Sequence, residues 1–157
     1  MGHRDLPDHR WGADMPLTHP AAPTRFEQIN IGSVYHASES YGHSAMDQFA
    51  ALSGDRSAIH TNAEIAEQFG FPDRVQYGFL LTALLSRIVG ENFEHALCAS
   101  VAVDFTRPVL AGERVDVRAE VVQVQLAMRS VTLRITMLND GGVVARGKLI
   151  TVFLSES

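Results

Sequence analysis

The sequence predicts an α+β domain, on three observations. Helical patterning dominates between residues 44 and 90, and strict alternation dominates after residue 96. One helical stretch, Phe79 to Val89, is apolar nearly all the way round, which suits a helix buried on most sides. The strands that follow are joined by short turn-rich connections, so antiparallel neighbours are expected. One apolar helix with a sheet available to wrap it gives the layered design.

Residues 1–24 read as a flexible N-terminal arm and 25–157 as a single domain. The arm holds four of the six prolines, His3, His9 and His19, and Trp11 as a surface anchor, and those histidines fit no standard metal spacing. Gly32 to Ser40 supplies a first strand. Ser44 is the expected N-cap of a helix over Ala45 to Ser53, with Asp47 in its first turn and Met46, Phe49, Ala50 and Leu52 on its buried side. Gly54 suits its C-terminal stop. Thr61-Asn62-Ala63-Glu64 fits a capping box for a short helix that runs to about Phe69 and ends at Gly70, ahead of Pro72. After Tyr77-Gly78 comes the apolar helix, which Gly90 is expected to end. Four strands follow, around Leu97–Phe105, Val115–Val121, Val131–Met137 and Val143–Leu154, the last two joined by the hairpin signal Asn139-Asp140-Gly141-Gly142.

Composition excludes several classes of function. The chain has 157 residues, 46% hydrophobic and 20% charged, with a formal net charge of -5, so it suits one soluble core and lacks the basic stripe of a nucleic-acid binder. The longest apolar run, near Phe79 to Leu85, is too short for a membrane span, and the N-terminus has no signal-peptide core. A single cysteine, Cys98, forms no intrachain disulfide and points to a cytoplasmic protein. Cys98 reads as a small buried strand residue. No zinc spacing, P-loop or dinucleotide fingerprint occurs, so no metal is expected. Open sheet edges invite a second copy, and a homodimer or higher homo-oligomer is the simplest cover.

The stretch SGDRSAIHTN, Ser53 to Asn62, places Asp55 and His60 in a six-residue connector between two helix caps. On a continued helix, side chains five apart would diverge by about 140°. In a tight loop both can turn to one cleft. Asp is also a common turn former, so the spacing alone permits a purely structural reading. His43 and Asp47, four apart on a helix, are too few for a metal site. His36 and His95 read as rim residues. Arg74, Arg107 and Arg114 read as solvated charge, or as partners for carrier phosphates.

FAALSGDRSAIH, Phe49 to His60, resembles the hydratase signature of the MaoC-like dehydratases, the R-specific enoyl-CoA hydratases, whose usual form is Ser/Thr-Gly-Asp-x-Asn-Pro-x-His after an apolar helix. VQYGFLLTALLSRIVG, Val75 to Gly90, resembles the family's central helix, and VDFTRPVLAGERVDV, Val103 to Val117, its later strand pair. The resemblance covers roughly Gly32 to Leu154. It implies a hotdog fold, a curved antiparallel sheet around one long helix, usually paired with a second subunit near the active site. It also implies R-specific hydration of trans-2-enoyl thioesters, or the reverse dehydration of 3-hydroxyacyl thioesters. Asp55 and His60 would move the protons around one water. The backbone N–H of Gly78, at a helix N-terminus, would steady the thioester oxygen. Coenzyme A or acyl carrier protein would carry the substrate, and no cofactor is implied. Ser57 and Tyr77, where the family usually has Asn and His, are expected to contact substrate, and Ala58 replaces the usual Pro. The competing readings are a hotdog acyl-thioester hydrolase and a non-catalytic acyl-binding subunit.

Overall fold

The computed structural model describes residues 22–155, so His3, His9, His19 and Trp11 lie outside the described residues. A 3₁₀ turn, Phe26–Gln28, precedes β1 (Val34–Ser40), α1 (His43–Ser53), α2 (Ala58–Thr61), α3 (Ala63–Gln68) and α4 (Gly78–Asn92). Four strands complete the chain: β2 (Ala96–Phe105), β3 (Arg114–Gln125), β4 (Ser130–Asn139) and β5 (Gly142–Phe153). The five strands form one antiparallel sheet in the order β1-β3-β4-β5-β2.

The alternation in β3 and β4 sets the inner face of this sheet. Val115, Val117, Ala119 and Val121 are buried, as are Val131, Leu133, Ile135 and Met137. They pack with Leu81, Leu84, Leu85, Ile88 and Val89 of α4 in one core, so the sheet wraps the apolar helix. A smaller cluster of Met46, Ala50, Tyr77 and Leu80, with Phe49 against it, seats α1 on the start of α4.

Several expected boundaries move, each for a local reason. Thr24, placed in the arm by its sequence, bonds through its backbone to Asn92 and Glu94, so the chain is tied to the domain from there. Helix α1 starts at His43 with Gly42 as N-cap, not at Ala45 behind Ser44, and Leu52 stands 86% exposed on its outer face. Helix α4 runs through Gly90 to Asn92. A glycine inside a helix costs only about 1 kcal/mol, and the side chain of Asn92 donates back to the Ile88 carbonyl (2.8 Å). Strand β2 is nearly all exposed, including Cys98, because it is an edge strand bonded only to β5 and carries a bulge at Ala99. No helix among the described residues is long and apolar enough to cross a membrane.

Candidate active site

Helix α1 stops at Gly54, whose φ of 78° lies in the left-handed region that favours glycine. The chain then turns on its own side chains. The Ser53 hydroxyl donates to the Phe49 carbonyl (2.7 Å) and accepts from the Asp55 N–H (3.1 Å). The Asp55 carboxylate accepts the N–H of Ser57 through Oδ1 (3.0 Å), a local turn that orients it. Asp55 and Ser57 are both exposed.

His60 is not in an open loop, as its spacing suggested, but on the single helical turn α2. Its N–H bonds to the Ser57 carbonyl (3.0 Å). The cap of α3 is Asn62, whose side chain accepts the Ile65 N–H (3.1 Å), and not Thr61. The Thr61 hydroxyl is spent inside α2, on the Ser57 carbonyl (3.1 Å).

A second segment, residues 74–78, runs beside this turn. One side of it is pinned to residues 109–113: the Gln76 N–H donates to the Val109 carbonyl (2.7 Å), and the Ala111 N–H to the Arg74 carbonyl (2.8 Å). The Gln76 side chain, buried, donates to the carbonyls of Leu110 (2.7 Å) and Glu113 (3.2 Å). The other side holds α2. The Val75 N–H donates to the Ile59 carbonyl (3.1 Å), and the Val75 carbonyl lies 2.7 Å from His60 Nδ1. A carbonyl only accepts, so Nδ1 carries the proton of this bond. In the neutral ring Nε2 is then the lone-pair atom, available to take a proton.

Arg74 and Tyr77 complete this grip. Arg74 was expected in solvent but is buried, its Nε donating to the His60 carbonyl (2.6 Å) and its Nη2 to Asp47 Oδ1 (2.7 Å). That pair, and not the start of α1, accounts for Asp47. His43 Nε2 lies 2.8 Å from Asp73 Oδ1. The Asp73 carboxyl is held below its ordinary value first by the Arg74 backbone N–H and then by His43. Tyr77 is only 2% exposed. Its hydroxyl donates to the Asp55 backbone carbonyl (2.9 Å), and its ring centroid lies 4.1 Å from that of His60 and 4.8 Å from that of Phe49. Burial first, and then the Asp55 charge, raise the phenol above its ordinary pKa, so it stays a neutral donor.

Gly78 follows directly as the first residue of α4, where the helix itself offers its N–H no partner. A Cβ here would lie 2.8 Å from the Phe105 ring. Phe105 is also part of a cleft of about 350 Å³ between α4 and β2, lined by Phe79, Thr82, Ser86, Cys98 and Val101 among others. Thus the helix N-terminus meets an apolar cleft on one side, through Phe105, and the Asp55/His60 turn on the other, through Tyr77.

The structure therefore brings Asp55, His60, Tyr77 and Gly78 together, with Ser57 contributing its backbone. Sequence reasoning misread Arg74 as solvated charge or a phosphate partner, and it missed Val75. One signal was available: His43 and Asp47, four apart on one helix face, match the consecutive Asp73 and Arg74 in charge order. Arg107 reaches the Gly141 carbonyl, and Arg114 bonds Asp116 (3.0 Å) and Ser38 (2.8 Å). Among the described residues, no three His, Cys, Asp or Glu side chains gather as a metal site requires.

Residues 17–141 match the family model described as MaoC like domain. The chain is similar to the mitochondrial 3-hydroxyacyl-[acyl-carrier-protein] dehydratase FERN of Solanum lycopersicum, 27% identical over 97 residues. That match covers 62% of this chain and spans 59% of the tomato protein's length. It is also similar to the (R)-specific enoyl-CoA hydratase of Aeromonas caviae, 25% identical over 121 residues, covering 76% of this chain and 90% of that one. Among solved structures, the (R)-hydratase from A. caviae superposes with a TM-score of 0.78 at 23% identity, over 82% of this chain and 99% of that one. The likeness identifies the architecture as the hotdog fold.

Proposed function

Because the chain belongs to the MaoC-like dehydratase family and is a hydro-lyase by that membership, we propose that it hydrates trans-2-enoyl thioesters to (R)-3-hydroxyacyl thioesters, and runs the reverse dehydration at the same site. The observation that carries this reading is the convergence of Asp55, His60 and Gly78 on one short segment, with Tyr77 bonded to Asp55, in tilted ring contact with His60 and adjacent to Gly78.

The chemistry follows from these groups. In this reading the nucleophile is a water taken up by the Asp55 carboxylate and His60 Nε2 together. As its oxygen bonds to C3 of the enoyl group, the pair takes one proton from it. Negative charge moves through the conjugated system to the thioester oxygen, where the Gly78 N–H and the N-terminus of α4 stabilise it. The pair returns one proton to C2, so its protonation is unchanged after each turnover. The balance is one C3–O bond and one C2–H bond formed at the cost of the double bond and one O–H bond, with no external oxidant or reductant, so the reading calls for no metal or redox cofactor. The acyl chain occupies the cleft between α4 and β2. The carrier is coenzyme A or acyl carrier protein; the names of the two relatives include one of each. The exposed edge strand β2, with Leu97 54% and Val101 44% exposed, is where a second copy pairs to form a homodimer in the cytoplasm.

The test is hydration of short and medium trans-2-enoyl-CoA and enoyl-acyl-carrier-protein, followed by loss of the conjugated-enoyl absorbance and by product mass. The expected product gains one water with its thioester intact, and Asp55→Asn abolishes turnover while remaining folded. Release of free thiol instead refutes the hydratase reading in favour of a hydrolase. Inertness toward both carriers refutes it in favour of a non-catalytic binding subunit.

A further inference from the structure

We infer that Tyr77 is the residue that locks the Asp55/His60 pair in register with the Gly78 N–H, a positioning role that rests on the hydratase reading for its catalytic meaning. The two members of the pair lie on different short structures. Asp55 is in an exposed turn held by its own neighbours, and His60 is on one turn of helix, which is too short to be stable alone. Something outside them must set their separation. Residues 74–77 supply it, and they hold His60 more fully than Asp55. His60 is held at its carbonyl by Arg74 and at its ring nitrogen by Val75, and the Ile59 carbonyl takes the Val75 N–H.

For Asp55 the one described bond from that segment is the Tyr77 hydroxyl on its backbone carbonyl. The same side chain also lies against the His60 ring. It therefore touches both members, while its own position is fixed by burial among Met46, Ala50 and Leu80 and by being the N-cap residue of α4. The next peptide N–H is that of Gly78. A single buried ring thus relates the proton-moving groups to the oxyanion donor. Tyr77 does not act on substrate: its hydroxyl is spent on Asp55 and the residue is almost fully buried.

Tyr77→Phe tests this directly, since it keeps the ring and the packing and removes only the hydroxyl. Two readouts are taken on the full-length protein. Amide exchange at Ser57 and His60 is expected to quicken about three- to tenfold, the worth of one hydrogen bond, with the β4 amides unaltered. Turnover is expected to fall about tenfold or more at a KM within about twofold, because misplacement of the pair affects the transition state and not binding. A Tyr77→Phe protein with unaltered exchange at Ser57 and His60 and unaltered turnover, whatever its melting temperature, overturns the inference and leaves Tyr77 as core filling. The exchange readout does not depend on activity, so a wild type that hydrates nothing refutes the hydratase reading while the exchange data still decide whether Tyr77 holds the turn.

Discussion

Gly78→Ala separates stability from catalysis at one atom. The added Cβ would lie 2.8 and 2.9 Å from two carbons of the Phe105 ring, closer than such contacts allow, so the ring must move. Phe105 is 47% exposed on an edge strand and can swing outward. The steric cost is therefore at the low end of the overpacking range, about 1 kcal/mol, and the better helix propensity of alanine offsets part of it. For a domain of this size, that is a fall in melting temperature of no more than about 4 °C. On the proposed hydratase reading, however, the methyl group and the displaced ring crowd the residue 78 N–H that receives the thioester oxygen. Blocking one such donor lowers kcat/KM about a hundredfold, or roughly 2.7 kcal/mol. The assay is enoyl-thioester hydration beside a thermal melt, with Phe105→Ala and the double variant alongside. In the double variant the melt recovers toward Phe105→Ala while turnover stays depressed. If Gly78→Ala keeps kcat/KM within about threefold of wild type, the Gly78 N–H is not the oxyanion donor and the argument from helix geometry fails.

Other tests follow from the same structure. Leu84 on α4 is fully buried in the main core, so Leu84→Ala is expected to destabilise by about 2–5 kcal/mol in urea unfolding, with turnover per folded molecule unaltered. The Asp73 carboxyl is depressed by the Arg74 N–H and His43, so its stabilising effect is full above its ordinary value of 3.8 and is lost as pH falls through the lower folded value. The stability gap between wild type and Asp73→Ala should therefore shrink on acidification through that window; a gap that stays constant contradicts the assignment. If β2 is the proposed dimer edge, charging it with Leu97→Glu and Val101→Glu, both at exposed apolar positions, should leave only monomer in sedimentation where the wild type sediments as a dimer. An unaltered dimer would place the interface elsewhere.

The parts of this fold that were legible in sequence are those decided by periodicity. The alternation in β3 and β4 and the Gly54 stop each report a residue's immediate surroundings, and they came out as expected. The apolar circumference of α4 did not: the helix forms, but the sheet covers one face of it, and Phe79 is 79% exposed with Ala83 and Ser86 also exposed. The misreadings occurred where a residue's surroundings are not set by periodicity. Thr61 looked like a cap but bonds backward to Ser57, leaving the cap to Asn62. Cys98 sat in an alternating strand, yet alternation does not reveal that a strand is at the edge. Arg74 looked like surface charge because its partners, Asp47 and the His60 carbonyl, are 27 and 14 residues away. Long-range pairing of this kind leaves no periodic trace.

The departures from the resembling motif act on the site less than their chemistry suggests. Where that motif has Asn, this chain has Ser57, whose contact with Asp55 comes from the backbone N–H, which any residue but proline supplies. Where it has Pro, Ala58 is the first residue of α2, and a helix leaves the N–H there unpaired in any case. Proline would only reduce the freedom of the unfolded chain, worth about 0.4–1 kcal/mol. Tyr77 is different, because its support for Asp55 comes from the side chain itself. Substitutions at 57 and 58 should therefore change stability by small amounts, and one at 77 should change turnover. Ser57→Asn and Ala58→Pro would accordingly leave kcat within about threefold while Tyr77→Phe does not, and measuring all three in one assay decides which of the three departures the site depends on.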